Sequence, residues 1–204
     1  MSVLRIALND GTPALLRPVA PEDRERLQKG LALMSADSRY LRFFGPIGRL
    51  SKEQLGYFTE VDQQNHVAWI ALDASSPELR GLGIARFIRL QEDATIAETA
   101  LAVIDAFQRR GLGTALLAVL YLMAQARGIR VLRAVALAEN RVITQWFHRL
   151  GAVGPRYRQG VVEFDLPVHA DPALRPRTPT AQHFATLLKR LEAELELARL
   201  RPPL

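Results

Sequence analysis

Hydrophobic positions in this chain switch between two-residue and helical spacing, and the switches mark its elements. Leu4, Ile6 and Leu8 alternate with Arg5 and Ala7, Asn9-Asp10-Gly11-Thr12-Pro13 makes a turn, and Ala14-Leu15-Leu16-Arg17-Pro18-Val19 follows. This predicts an N-terminal hairpin whose end Pro18 places at a sheet edge. Pro21, Glu22 and Asp23 suit a first helical turn, and Leu27, Leu31 and Met34 carry the apolar stripe. Ser51-Lys52-Glu53-Gln54 after Leu50 is a capping-box pattern opening a helix with Leu55 and Phe58 on one side. Residues 66–72 read as a mostly apolar strand, and Ile84, Ile88 and Leu90 alternate as a second strand after the turn cluster Ser75-Ser76-Pro77-Glu78. Residues 96–104 are short, apolar and β-branched at Ile96, Val103 and Ile104, the pattern of a buried strand.

Beyond that strand, Leu116, Leu117, Val119, Leu120 and Met123 recur at helical spacing, and Gly128 stands where a helix-ending glycine belongs. Residues 129–137 form another buried strand. Val142, Ile143, Trp146, Phe147 and Leu150 make the next helical stripe, closed by Gly151, and residues 156–166 supply a hairpin around Gln159-Gly160. Residues 169–179 carry Asp171-Pro172 and Arg175-Pro176-Arg177-Thr178-Pro179 and read as a linker. Thr180 then caps a last helix with Phe184, Leu187, Leu188, Leu191, Leu195 and Ala198 on one stripe. That stripe suits docking on the core or pairing with a second copy, and both stay open. Its mixed polar face (Lys189, Arg190, Glu192, Glu194, Glu196) argues against an anionic membrane.

Two stretches break the pattern. Residues 35–46 are aromatic and basic (Ser38-Arg39-Tyr40-Leu41-Arg42-Phe43-Phe44), a loop or helical turn whose aromatics cap the core, or a short stacking surface for bases. The tetrapeptide Arg-Gly-Leu-Gly occurs twice, at 80–83 and at 110–113. The first copy lies between two strands, so it belongs to a hairpin and no ligand. The second lies between a strand and a helix. There the first-turn N–H groups lack partners, the helix dipole adds positive charge, and glycines let a diphosphate approach the backbone.

Composition narrows the reading. At 204 residues, 49% of them hydrophobic, the chain suits one moderate domain with an appendage. Its apolar runs fall short of the roughly 18 residues of a membrane span, and Met1-Ser2-Val3-Leu4-Arg5-Ile6 lacks the form of a signal peptide. With no cysteine there are no disulfides, thiolate zinc sites or cysteine nucleophiles, which fits a cytoplasmic protein. No metal site is expected. The net charge of +6 comes almost wholly from arginine spread along the chain, without a basic run interleaved with aromatics, so nucleic acid is not the expected partner.

The second glycine turn has no Gly-Lys-Ser/Thr, and Leu116 breaks the dinucleotide Gly-x-Gly-x-x-Gly. Gln108-Arg109-Arg110-Gly111-Leu112-Gly113, preceded by Leu101-Ala102-Val103, resembles the acyl-CoA pyrophosphate loop of the GNAT superfamily of N-acyltransferases. Asn140, followed by a helix and Leu150-Gly151, resembles its second CoA-contacting unit. Residues 39–44 are similar to the GNAT domain of bacterial Pat-type protein-lysine acetyltransferases, in which the segment between the first two helices borders the acceptor pocket. The resemblance covers about four fifths of the chain. It implies an α/β (α+β) fold with a mixed, mostly antiparallel sheet flanked by helices, divided into an acyltransferase domain (1–168), a linker (169–179) and a C-terminal helix (180–201).

It further implies transfer of an acetyl group from acetyl-CoA to a primary amine, on a small molecule or a protein lysine. Backbone groups of Leu101, Ala102 and Val103 would pair with the pantetheine arm. Gln108, Arg109, Arg110, Gly111, Leu112, Gly113 and Thr114 would hold the diphosphate, and Asn140 would lie near the lower CoA arm. Glu98 is the candidate base, an acid inside an apolar strand where desolvation raises its pKa, at the position of the catalytic glutamate of lysine-acetylating members. His66, at a strand start, is either structural or catalytic. One departure stands out: many members carry a tyrosine as general acid where this chain has Phe147, which leaves water, Tyr40, Tyr121 or Tyr157 to protonate the thiolate. It also keeps open a non-catalytic acyl-CoA-binding protein.

Overall fold

The computed structural model describes residues 3–200. Met1 and Ser2, and Arg201 at the expected end of the last helix, lie outside the described residues. The two-residue alternations become strands β1 (Leu4–Ala7), β2 (Pro13–Pro18), β3 (His66–Asp73), β4 (Gly81–Arg89), β5 (Ile96–Val103), β6 (Val131–Leu137), β7 (Val153–Arg158) and β8 (Val161–Pro167). The helices are α1 (Arg24–Ala32), α2 (Ala36–Phe43), α3 (Lys52–Thr59), α4 (Leu112–Gln125), α5 (Arg141–Leu150) and α6 (Pro179–Leu200). One eight-stranded sheet runs β1-β2-β3-β4-β5-β6-β8-β7. Every neighbouring pair is antiparallel except β5 and β6. The expected mixed, mostly antiparallel sheet is therefore the observed one.

Helix α4 lies on one face of the sheet. Eleven of its residues are buried, Leu112 and Ala115 through Ala124, so it reads as apolar almost all round. It packs on β3, β4 and β5 beneath it and on α6 beside it, and α6 also touches α5 and β1. The C-terminal stripe thus docks on the core through Phe184, Leu188, Leu191 and Leu195, all buried. Its cap is Thr178 rather than Thr180: the Thr178 hydroxyl accepts from the Ala181 N–H at 3.1 Å, and Pro179 takes the first helical position, where the missing N–H costs nothing.

Helices α1 to α3 stand on the other face. One expectation changes here. Residues 36–43 form a full helix, because the Ser35 side chain caps it by accepting from the Ser38 N–H. Pro18 ends β2 at a locally unpaired edge as expected: β1 pairing stops at Leu16, and only Trp69 of β3 lies opposite Pro18. The capping box of α3 is present as expected, Ser51 and Gln54 each bonding the other's backbone. Strand β7 starts at Val153, three residues before the expected hairpin start, with a register shift between Val153 and Arg156.

Candidate active site

The parallel pairing of β5 with β6 is short. It runs from Ile96↔Val131 to Thr99↔Ala134 and stops, while β5 continues to Val103 and β6 to Leu137. Strand β5 keeps its β4 partner to the end, Gly83↔Val103. Its residues 100–103 are therefore paired on one side only. The direction of each backbone group follows from two bonds to the β4 side: the Ile104 N–H donates to Leu82, and the Ile96 carbonyl accepts from Leu90. Even-numbered residues face β4, so the N–H and C=O groups of Leu101 and Val103 face the gap. The Gln108 amide occupies one of these, donating to the Val103 carbonyl at 3.2 Å. Ala102 turns its backbone towards β4.

Both strands that flank the gap run into helix N-termini at the same end of the sheet. After β5 comes a 3-10 turn, Asp105–Phe107, and then the glycine turn. Arg109 (φ 58°) and Gly111 (φ 88°) are both left-handed. The first α4 bond is donated by Ala115 to the Gly111 carbonyl. Among the described residues the N–H groups of Leu112, Gly113 and Thr114 have no protein acceptor, and the first turn carries no acid. Three N–H groups at a helix dipole make an anion cradle. The Leu112 side chain is core, so its part is backbone only. Across the gap Asn140 caps α5, its Oδ1 accepting from the Ile143 N–H at 3.2 Å. That cap explains the asparagine structurally.

Sequence reasoning missed the brace on this loop. The Asn9 N–H donates to the Arg110 carbonyl at 3.0 Å, and the Arg110 guanidinium pairs with Asp10 at 2.8 Å while lying over the Phe107 ring. The N-terminal turn thus clamps the loop, and one of the two arginines expected to strengthen the anion site is partly neutralised. Arg109 is exposed. Asp105 ties the loop to α2: it accepts from the Ser35 N–H at 2.9 Å and from the Ser35 and Ser38 hydroxyls at 2.7 and 2.9 Å. Burial pushes its carboxyl up, and those hydrogen bonds outweigh the burial and hold it below the usual range.

The first Arg-Gly-Leu-Gly copy is built into the sheet, as its position between strands implied. A Cβ on Gly83 would stand 2.8 Å from the Ala102 carbonyl, so this glycine lets β4 and β5 pair beneath α4.

Glu98 differs from expectation. It sits on β5 opposite Ile88, on the face towards α1 to α3, but its side chain is exposed, so the desolvation expected of an acid in an apolar strand is absent. It feels two cations, Arg42 from α2 and Arg86 from β4. Beside it opens an apolar pocket with about 660 Å³ of space, mouth included, walled by Leu27, Leu31, Met34, Phe43, Leu50 and Ile84 among others. Ala100 and Ala102 form its β5 wall, the segment that lacks a β6 partner. His66 is half-buried near the Tyr57 ring; burial and then the Arg86 charge push its imidazole down to about 4, so it is neutral at pH 7.

Phe147 is core, 3% exposed, packed against Trp146 and Phe164. Of the tyrosines weighed as acids, the Tyr121 hydroxyl accepts from the His169 N–H at 2.6 Å, while Tyr40 and Tyr157 are exposed. Among the described residues no helix is long and apolar enough to cross a membrane.

The family model described as the acetyltransferase (GNAT) family matches residues 17–152. Acetyltransferase PA5475 of Pseudomonas aeruginosa is 34% identical over 150 residues, covering 74% of this chain and 80% of that protein. Acetyltransferase Pat of Mycolicibacterium smegmatis is 35% identical over 154 residues, covering 74% of this chain but only 45% of that protein. Among solved structures, the GNAT domain of S. lividans PAT superposes with a TM-score of 0.74 at 30% identity, over 81% of this chain and 96% of that one. A cAMP-binding acyltransferase from Mycobacterium smegmatis gives 0.59 at 26% identity, over 96% of this chain and 55% of that one. The yncA structure from Salmonella typhimurium, a putative acetyltransferase solved with its cofactor acetyl-CoA, shares the fold at a TM-score of 0.57 and 14% identity, over 78% of this chain and 95% of that one.

Proposed function

Because the chain belongs to the acetyltransferase (GNAT) family, we propose that it moves the acetyl group of acetyl-CoA to a primary amine, on a small molecule or a protein lysine, with Glu98 as base. The observation that carries this reading is the half-paired edge of β5 leading into the open N-terminus of α4. Backbone groups of Leu101 and Val103 extend the sheet with the pantetheine amides. Gln108 to Thr114 take the diphosphate on the three free N–H groups, with Arg109 adding charge. Asn140 borders the lower arm from the α5 side. Residues 1–168 constitute the acyltransferase unit, and the helix Pro179–Leu200 is braced on it.

In the reaction the neutral amine nitrogen attacks the thioester carbonyl carbon. The C–N bond forms, the C–S bond breaks and CoA leaves as thiolate. The surplus proton on nitrogen passes to Glu98, and solvent protonates the thiolate, whose conjugate acid has a pKa near 8.5. Exposure suits Glu98 to this task, since it returns the proton to water after each turnover. The attacking amine must be neutral because an ammonium has no lone pair, and lysine-like amines are mostly protonated below about pH 10.4.

The test is titration calorimetry with acetyl-CoA beside turnover by wild type and Glu98→Gln. Expected are one-site binding unchanged in the variant and turnover reduced at least about 100-fold, the scale of general-base loss. Unchanged turnover removes Glu98 from the mechanism. Absence of binding up to millimolar acetyl-CoA removes the transfer reading altogether.

A further inference from the structure

Several half-buried arginines here have a carboxylate. Arg17 pairs with Asp23 at 2.6 Å, Arg133 with Asp165 at 2.9 Å, and Arg156 with Asp165 at 3.1 Å. Arg42 and Arg86, which line the pocket, have none. Among the described residues neither side chain makes a hydrogen bond or an ion pair, and Arg86 Nη1 is buried with no partner at all. Both are held by rings instead. The Arg86 guanidinium lies 4.0 Å from the Phe58 ring centroid and 5.1 Å from that of Tyr57; Arg42 lies 5.1 Å from that of Phe43. Ring stacking fixes a guanidinium's plane and leaves its N–H edge free to form two parallel bonds with a carboxylate. Two unpaired cations facing one apolar cavity are costly, and an entering anion removes that cost.

Burial pushes both guanidiniums down, Arg86 to about 10 with the Arg42 charge as the next cause, which leaves Arg86 charged at neutral pH. Glu98 is the carboxylate nearest in effect, and across the sheet it is the diagonal neighbour of Arg86, since Arg86 faces Ala100 and Ile88 faces Glu98. Diagonal positions lie about 7–8 Å apart. A base and an anion receptor at that separation are bridged by a molecule whose amine and carboxylate are a few bonds apart. The remaining walls are apolar apart from Arg26, which is paired with Asp23.

We propose that the acceptor is an amino carboxylate with an apolar body, an apolar amino acid in class, its carboxylate held by Arg42 and Arg86, its side chain in the pocket under α1 to α3, and its amine at Glu98. This rests on the transfer reading for the reaction but not for the binding. The test is therefore binding: calorimetric titration of the CoA-saturated protein with leucine, leucinamide and isoamylamine, for wild type, Arg86→Met and Arg42→Gln, with thermal melts to establish folding. Leucine is expected to bind at least about tenfold more tightly than the two amines without a carboxylate, and either substitution is expected to abolish the difference. Equal binding of leucine and leucinamide overturns the proposal, as does a preference that persists in both folded variants or no leucine binding at all. Leucine that binds without being acetylated sinks the transfer reading and leaves the pocket assignment standing. Acetylation of a lysine peptide without leucine binding does the reverse.

Discussion

The duplicated Arg-Gly-Leu-Gly gives an internal control, because its two copies require glycine at opposite places. In the first, Gly81 has 3.4 Å to the nearest atom that a Cβ would meet, while Gly83 has 2.8 Å to the Ala102 carbonyl and 3.2 Å to Leu116 and Val103. In the second, Gly111 has φ 88° with Asn9 Oδ1 at 2.8 Å, while Gly113 has 3.8 Å to Leu101. Gly83→Ala forces a backbone carbonyl aside in a packed sheet, an overpacking cost of about 1–3 kcal/mol. Gly111→Ala places an L-residue in the left-handed region at about 1–2 kcal/mol. Gly113→Ala meets only ordinary contacts inside a helix, and removing backbone freedom there stabilises by up to about 1 kcal/mol. Gly81→Ala stays within about 0.5 kcal/mol. At about 2–4 °C per kcal/mol for a chain of this size, Gly83→Ala melts about 2–12 °C lower, Gly111→Ala about 2–8 °C lower, and Gly113→Ala level or up to about 4 °C higher. Calorimetric melts of the four ligand-free variants decide it. A Gly113→Ala protein less stable than Gly83→Ala, or four equal shifts, would refute the assignment of the two copies to different backbones.

Two more predictions concern buried ionisable groups. Asp23 is fully buried and accepts from Arg17 at two 2.6 Å bonds, from the Ala20 N–H at 3.0 Å and from Arg26 at 3.3 Å, so Asp23→Asn costs about 3–5 kcal/mol by stranding Arg17. Burial raises the Asp23 pKa and these partners lower it further, for a net fall; its stabilisation is thus full above the unfolded value near 3.9 and lost as pH drops through the folded one. Acid melts should bring wild type towards Asp23→Asn below about pH 4, and a constant gap down to pH 2 would contradict this. His66, pushed down to about 4, binds a proton more weakly folded than unfolded. Stability therefore declines as pH falls from about 6.5 towards about 4, by up to about 3 kcal/mol, and NMR should show no His66 imidazole titration between pH 7.5 and 5; a midpoint near 6.5 contradicts the burial.

What the sequence revealed followed the range of each signal. The β5-turn-α4 unit was legible because its strand pattern, glycines and helix stripe lie within one short window. The capping box at Ser51 was legible for the same reason. Glu98 was misread because its exposure is a matter of tertiary packing: it is paired on both sides, with Ile88 and Arg133, yet its side chain is left uncovered on its face of the sheet. Arg86 carried no signal of its own in the sequence, and only folding brings Arg42 near it. Asn9 and Asp10 read as turn residues, with their hold on Arg110 hidden by about 100 residues of intervening chain. Residues 36–43 hid a helix because Arg and aromatic residues masked the Ser35 cap. Thr178 was passed over for Thr180 because Pro179 looked like linker when it is the helix's first residue.

The half-paired edge of β5 also bears on what limits the rate. In the proposed reading it grips the amides of the pantetheine arm, which acetylated and spent CoA have in common. The acetyl group contributes little to that grip, so spent CoA is held nearly as firmly as its charged form and must leave before another cycle begins. Free CoA then competes for the same edge at nearly equal strength. The protein would therefore respond to the proportion of charged to spent CoA more than to the amount of either, slowing as the pool discharges even while acetyl-CoA remains abundant.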